Sequence, residues 1–188
     1  MIKLLIGFTL IELMVGVAIL AIISTLALPN LNQFLVEMRV DSEISKLNRM
    51  IITARNTAIN MGQTVTLCPL AADNSCSDNW GIQLAIFIDL DDDNVFDLAD
   101  GETIIKVKDK IAQMDRLQYT QSVPITYEAT GLLSTANGNF IFCPEDNPDR
   151  NRGISISKKG RSTTTSDIDD DGIDEFKTLP SAPLTCAN

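Results

Sequence analysis

The chain lacks histidine and has few aromatic residues, and these shortages narrow the chemistry it can perform. Its 188 residues include no His and one Trp, and aromatic side chains make up 5% of the total. Without His there is no His-based catalytic triad and no His metal site. The sequence also contains no Gly-rich phosphate loop and no nucleophile motif. We therefore predict that the protein is not an enzyme.

Basic residues are scarce: 15 Lys and Arg stand against 25 Asp and Glu, a formal net charge of −10. This balance argues against a general nucleic-acid-binding surface, because phosphate contacts need Lys and Arg. Local patches remain open, and five basic residues fall close together: Arg150, Arg152, Lys158, Lys159 and Arg161. They predict either a basic turn that is solvated and pairs with acidic loops, or a DNA-binding patch.

Apolar residues concentrate in one segment, residues 8–28, which Pro29 follows directly. As a helix this segment would be about 31 Å long, close to the roughly 30 Å of a bilayer's hydrocarbon core. Glu12 interrupts it, and a carboxylate in lipid costs a few kcal/mol. A plain anchor would not need this acid. A secretory signal peptide would have a shorter apolar core without an acid and a small-x-small cleavage site.

The hexapeptide Gly7-Phe8-Thr9-Leu10-Ile11-Glu12 resembles the cleavage and methylation signature of type IV prepilins and pseudopilins. The resemblance implies that prepilin peptidase cuts after Gly7 and methylates the new N-terminal Phe8. Residues 1–7 would then be a leader, and residues 8–28 a helix that spans the bacterial inner membrane and later forms the filament core. The rest of the chain would be periplasmic, with Lys3 staying cytoplasmic.

Glu12 lies one helical turn from Phe8, whose α-amino group cleavage would expose. In a filament, its carboxylate could pair with the Phe8 amine of a neighbouring subunit and set the register between subunits. The alternatives are a pair within the helix and a protonated acid in the membrane.

Residues 29–62 continue the helix with one apolar face, and residues 63–188 form a β-rich head. The face repeats at steps of three and four: Val40, Ile44, Leu47, Ile51, Ala54 and Ala58. Gly62 would end the helix. The head contains six β-rich segments: Thr64–Leu67, Ile82–Ile88, Thr103–Val107, Ile125–Tyr127, Phe140–Phe142 and Gly153–Ser157. We predict an α+β fold in which a long helix packs on an antiparallel sheet of about five to seven strands.

The head resembles the GspH/FimT/FimU branch of minor pilins and pseudopilins. The resemblance is carried by Cys68-Pro69, Asp73–Cys76, Trp80-Gly81, Phe87–Asp89, Asp100–Glu102 and Gly160-Arg161. It implies a subunit that joins other pilins in a type IV pilus or a type II secretion pseudopilus, in the initiation or tip complex. The alternative is a FimT-like pilin that binds DNA for uptake in natural transformation, with basic residues around the Gly160-Arg161 turn.

Four cysteines lie in the head, and an even count outside the membrane predicts two disulfides in an oxidising compartment. Three connectivities exist. We favour Cys68–Cys76, which closes a short loop, and Cys143–Cys186, which fastens the C-terminus to the body. A zinc site is the rival interpretation, although the sequence has no CxxC spacing and no His.

Two acidic loops are candidates for calcium. Asp167, Asp169, Asp171 and Gly172 form the D-x-D-x-D-G start of an EF-hand-type loop, with Glu175 as closing ligand because position twelve is Thr178. The earlier loop offers four acids without the Gly: Asp89, Asp91, Asp93 and Asp97. The alternatives are a solvated β-turn for the earlier loop and a floppy acidic loop for the later one.

Overall fold

The computed structural model describes residues 8–145, 147–177 and 179–186, with side chains described throughout except at 26–30 and 179–183. Its first element is a long helix, α1 (Leu10–Met61). The Thr9 hydroxyl caps the first turn by accepting a hydrogen bond from the Glu12 amide at 3.3 Å. At the other end, Gly62 adopts a φ of 65°, a conformation that glycine tolerates well.

The chain divides into two compact units, Met1–Met38 and Arg39–Asn188, and α1 contributes to both. Within the second unit, α1 buries one face. The buried residues are Val40, Ile44, Leu47, Met50, Ile51, Ala54 and Ala58. The predicted apolar face is therefore confirmed, and Met50 is added to it.

Beyond α1, the described residues of the second unit form two four-stranded antiparallel sheets and a two-stranded one. The first consists of β1 (Val65–Pro69), β2 (Leu84–Ile88), β3 (Thr103–Lys108) and β5 (Ile125–Tyr127), in the order β3-β2-β1-β5. The second consists of β4 (Arg116–Tyr119), β6 (Gly138–Cys143), β7 (Arg152–Ile156) and β8 (Ser162–Thr164), in the order β4-β6-β7-β8. The third pairs β9 (Glu175–Phe176) with β10 (Leu179–Pro183).

The core contains apolar side chains from both larger sheets, mainly from β1, β2, β5, β6 and β7, whereas Ile104, Ile105 and Val107 on β3 are exposed. Every residue of β1 and β2 is buried, as expected of strands covered on both faces. Trp80 is 3% exposed and makes edge contacts with Tyr119 and Phe140, with ring centroids 5.1 and 4.7 Å apart. It is therefore a core aromatic.

The predicted α+β fold with antiparallel strands is confirmed. The single sheet of about five to seven strands is not what forms, because the described residues build ten strands in three sheets. The strands that the sequence does not predict are β4, β8, β9 and β10. β8 has three residues and no apolar side chain, and β9 has two residues, so neither shows a readable alternation of apolar and polar residues.

Candidate functional site

The first part of α1, residues 10–25, exposes apolar side chains on all sides, as does Phe8 just before it. Phe8 is 82% exposed and Leu20 is 64% exposed. The other large exposed apolar residues here are Leu10, Ile11, Leu13, Met14, Val15, Val17, Ile19, Ile22 and Ile23. A contiguous apolar surface of this kind is unfavourable in water and marks an interaction site.

Part of the predicted processing site cannot be placed, because Gly7 and the rest of the leader, residues 1–7, lie outside the described residues. Cleavage after Gly7 and methylation of Phe8 stay predictions. Within the described ranges, no helix combines the length and apolarity needed to cross a membrane.

Glu12 occupies the first turn of α1, where a negative charge is favoured by the helix dipole. Its amide is bound to Thr9, in the Thr-x-x-Glu pattern of a capped helix start. Among the described residues, no Lys or Arg forms an ion pair with the Glu12 carboxylate. That carboxylate is therefore available to a partner, and its pairing with Phe8 of a neighbouring subunit stays a prediction.

Ion pairs connect the second part of α1, residues 39–61, to the head. Lys108 on β3 lies 2.6 Å from Glu43, which also pairs with Lys46 at 2.8 Å. Burial alone would raise the pKa of the Glu43 carboxyl, but hydrogen bonding and charge from Lys108 and Lys46 lower it below its ordinary value. Arg39 lies 3.2 Å from Asp115, whose pKa burial raises despite the nearby guanidinium.

Two disulfides constrain the head, and no described cysteine is free. Cys68 pairs with Cys76 across a Cα–Cα distance of 5.5 Å, and Cys143 pairs with Cys186 across 6.4 Å. These are the pairs that the sequence favours, and they rule out a zinc site built from the same thiols. The second bond ties the C-terminal segment to the end of β6.

The first acidic loop, residues 89–102, connects β2 to β3, and the pairing of those strands brings its ends together. Ile88 is the strand partner of Thr103, so Asp89 and Glu102 lie side by side at the edge of that pairing. Asp89 is 1% exposed and Glu102 is 2% exposed. The structure thus buries two carboxylates at adjacent positions.

Asp91 completes a cluster with these two acids: one carboxylate oxygen from each of the three residues lies within 4.8 Å of the others. The sequence predicts Asp93 and Asp97 as further candidate ligands in this loop, and the cluster contains neither. Glu102 is not predicted, because the register of β2 against β3 is what brings it to Asp89.

The second acidic loop, residues 167–175, gathers the four acids that the sequence predicts: Asp167, Asp169, Asp171 and Glu175 have oxygens within 4.8 Å of one another. Asp167 accepts the Gly172 amide at 2.9 Å. The three Asp residues are exposed. Calcium binding here stays a prediction.

The basic residues do not form one free patch. Arg152 forms ion pairs with Asp41 at 3.1 Å and with Asp174 at 2.5 Å, so its charge is paired within the chain. Folding thus brings acids from α1 and from the second acidic loop to Arg152. Arg150 lies in a short 3-10 helix, Pro148–Arg150.

The other three basic residues remain at the surface. Lys158, Lys159 and Arg161 are exposed around the Gly160 turn. A Cβ at Gly160 would lie 2.1 Å from the Gly131 carbonyl oxygen, and its φ is 76°, so this turn needs glycine.

A long N-terminal helix with an exposed apolar half, joined to a disulfide-braced α+β head, defines a pilin-like subunit. The family model described as "Type II transport protein GspH" matches residues 43–160, and the one described as "Prokaryotic N-terminal methylation motif" matches residues 7–28. The chain belongs to the GspH family of minor pilins and pseudopilins. Members of such families are structural subunits that assemble with other pilins, so the protein is not an enzyme.

A solved structure agrees with this fold in two crystal forms. The type IV minor pilin FimU of Pseudomonas aeruginosa, in its P21 crystal form, has a TM-score of 0.56 and 22% identity over 69% of this chain and 90% of its own. Its P65 crystal form has a TM-score of 0.53 and 22% identity, over 66% of this chain and 91% of its own. The minor pseudopilin EpsH from the type 2 secretion system of Vibrio cholerae has a TM-score of 0.48 and 10% identity, over 67% of this chain and 95% of its own.

Proposed function

We propose that this chain is a minor subunit of a type IV pilus or a type II secretion pseudopilus, in the initiation or tip complex. Prepilin peptidase removes residues 1–7 and methylates Phe8. Residues 8–28 anchor the subunit in the bacterial inner membrane and then enter the filament core. Residues 29–62 carry the helix into the head, and residues 63–188 form that head on the periplasmic or extracellular side.

The observation that carries this proposal is the all-round exposure of apolar side chains on the first part of α1. Such a surface needs lipid or the helices of other subunits to cover it. The match to an N-terminal methylation motif over residues 7–28 supports the same conclusion, because that motif coincides with the exposed segment.

Glu12 gives the assembly a specific contact. Cleavage after Gly7 leaves an amine on Phe8, and the Glu12 carboxylate has no ion-pair partner among the described side chains. In an apolar filament core, an amine and a carboxylate from adjacent subunits attract strongly, and an unpaired charge is costly. The pair therefore favours one axial position of each subunit over the others.

The test is the substitution Glu12→Gln, with Glu128→Gln in the head as a control that removes one exposed carboxylate. We expect Glu12→Gln to be cleaved and to fold normally but to enter filaments at least about tenfold less, since losing one partner of a buried charge pair costs roughly 2–5 kcal/mol. The measurement is the fraction of chain in sheared filaments, with the mass of the N-terminal peptide as the check on cleavage. Normal incorporation of Glu12→Gln would contradict the assembly contact.

The choice between the two filaments can be made by co-purification. Affinity-tagged full chain, expressed from its native locus, should be recovered with the subunits of one machine. Recovery with pilus subunits assigns it to a type IV pilus, and recovery with secretion pseudopilins assigns it to a pseudopilus. Recovery as an unassembled monomer under conditions that produce both filaments would contradict a structural role.

A second candidate function is DNA capture, and the exposed cations Lys158, Lys159 and Arg161 at one turn favour it. Three phosphate contacts would make binding strongly salt-dependent. The test is a gel shift of duplex DNA with the full chain in detergent, comparing Arg161→Ala with Lys106→Ala on the exposed edge of β3. If DNA binds here, Arg161→Ala weakens binding and lowers the salt slope by about one, and Lys106→Ala does not. Equal effects would discard the site.

A further inference from the structure

The first acidic loop buries negative charge that nothing described in the chain neutralises. Asp89 and Glu102 are almost fully buried and adjacent. Among the described residues, no Lys or Arg forms an ion pair with either acid. Buried carboxylates are costly unless they are hydrogen-bonded and paired with a cation.

The two buried acids differ in how their oxygens are satisfied. Glu102 accepts the Leu90 amide at 2.8 Å with one oxygen and the Asp97 amide at 2.9 Å with the other. Asp89 accepts the Thr66 hydroxyl at 2.7 Å with Oδ2, whereas its Oδ1 is buried without a hydrogen-bond partner. A buried carboxylate oxygen without a hydrogen-bond partner is uncommon in folded proteins, and a bound water or ion is one explanation of it.

Asp89 also experiences repulsion. Burial raises the pKa of its carboxyl and the charges of Glu102 and Asp92 raise it further, whereas the Thr66 hydrogen bond and a contact with the Asn94 backbone amide oppose this. A bound cation would remove the repulsion.

The third acid gives this buried pair an opening to solvent. Asp91 is exposed, and its oxygen lies within 4.8 Å of oxygens of both buried acids. Two Ca–O bonds of about 2.3–2.6 Å span at most roughly 5 Å, so one ion can contact all three carboxylates. Water can reach the exposed side and fill further coordination positions.

We propose that Asp89, Asp91 and Glu102 bind one calcium ion at the β2–β3 connection of the head. The ligands are all oxygens, which suits a hard cation and excludes zinc as the preferred metal. Calcium accepts irregular arrangements of six to eight oxygens, whereas magnesium demands a near-ideal octahedron at about 2.0–2.1 Å. The ion fixes both ends of the loop against the first sheet.

The second acidic loop does not share the feature that carries this inference. Glu175 is buried there, but its carboxylate accepts the Ile168 amide at 3.0 Å, and it has no buried oxygen without a partner. The two loops can therefore be separated by substitution.

The experiment measures calcium binding to the full chain in mild detergent by equilibrium dialysis, with CaCl2 as the probe and salt near 0.15 M to screen diffuse attraction. The variants are Asp91→Asn in the cluster, Asp109→Asn as an exposed acid outside it, and Asp169→Asn in the second loop. Asp91 is at the surface, so Asp91→Asn should fold. We expect a dissociation constant of about 0.1–1 mM, weakened at least about tenfold in Asp91→Asn and within about twofold in Asp109→Asn.

A second measurement, the unfolding midpoint, does not depend on the number of calcium ions bound. Calcium should raise the unfolding midpoint of the wild-type chain relative to chelator, because it binds only the folded loop. Asp89→Asn retains an acceptor for Thr66 and should lose this shift. Three results would overturn the proposal: no binding up to about 10 mM calcium, binding that survives Asp91→Asn but is lost in Asp169→Asn, or an equal midpoint shift with magnesium.

Discussion

The two parts of α1 belong to one continuous helix but have opposite surroundings. Leu20, in the first part, is 64% exposed, whereas Leu47, in the second, is 1% exposed. The first part is apolar on all sides, and the second alternates one apolar face with charged residues such as Glu43 and Lys46. The same backbone geometry therefore serves two different purposes.

On the function proposed above, folding and assembly depend on different stretches of one helix. A helix with one apolar stripe is satisfied by its own head, because the stripe and the sheets cover each other. A helix that is apolar all round leaves surface that only other molecules can cover. Substitutions in the second part should therefore change stability, and those in the first part should change assembly.

The largest effect on stability should come from a bond that lies wholly in the head. Removing Cys143–Cys186 with paired Ser substitutions should lower the free energy of unfolding by about 4 kcal/mol, because the bond closes a 43-residue separation. Removing Cys68–Cys76, with a separation of 8, should cost about 2–3 kcal/mol. Urea titration of the full chain in detergent, read from the fluorescence of Trp80, measures both. Equal losses would contradict the loop-closure explanation.

A matched pair of leucines tests the comparison directly. Leu47→Ala should destabilise the head by about 3 kcal/mol, because it leaves a cavity in a packed core. Leu20→Ala should leave the urea midpoint unchanged, because its side chain contacts no core. The same Trp80 titration measures both variants, and a similar loss in the two would break the division between the parts of α1.

The smallest expected effect concerns the Glu43 ion pairs. Glu43→Gln should cost about 2 kcal/mol near neutral pH, because Lys108 is left buried without its partner. The folded pKa of Glu43 lies below its ordinary value of 4.5, so this stabilisation is complete above pH 4.5 and disappears as the pH falls through the folded pKa. Urea titrations of wild type and Glu43→Gln across this range should converge at low pH. If the difference in unfolding free energy between the two proteins stays constant with pH, the ion pairing is contradicted. Glu128→Gln is the control.

Much of the fold can be predicted from the sequence, because its periodic apolar patterns extend over many residues. The apolar face of α1 repeats over many residues, so its burial was predicted almost completely. β8 could not be read in the same way: Ser162–Thr164 is short and has no apolar residue, and it forms a strand only because β7 offers an open edge. The pairing of β1 with β5 joins residues far apart in sequence, which local pattern does not encode.

The candidate sites show the same limit. The acids of the second loop are close in sequence, so their spacing was enough to predict that Asp167 and Asp171 lie together. Glu102 joins Asp89 only through strand register, and Arg152 finds Asp41 and Asp174 only through tertiary packing. Local chemistry was therefore predictable, whereas partners supplied by the fold were not.

Assembly through a free Phe8 amine is tested most directly by the mass of the N-terminal peptide from native filaments or membranes. We expect a chain that begins at Phe8 with one methyl group on its amine, and that retains residues 8–28. A chain that still begins at Met1, or one trimmed beyond residue 28, would contradict it, because the exposed apolar helix could then not assemble through a free Phe8 amine.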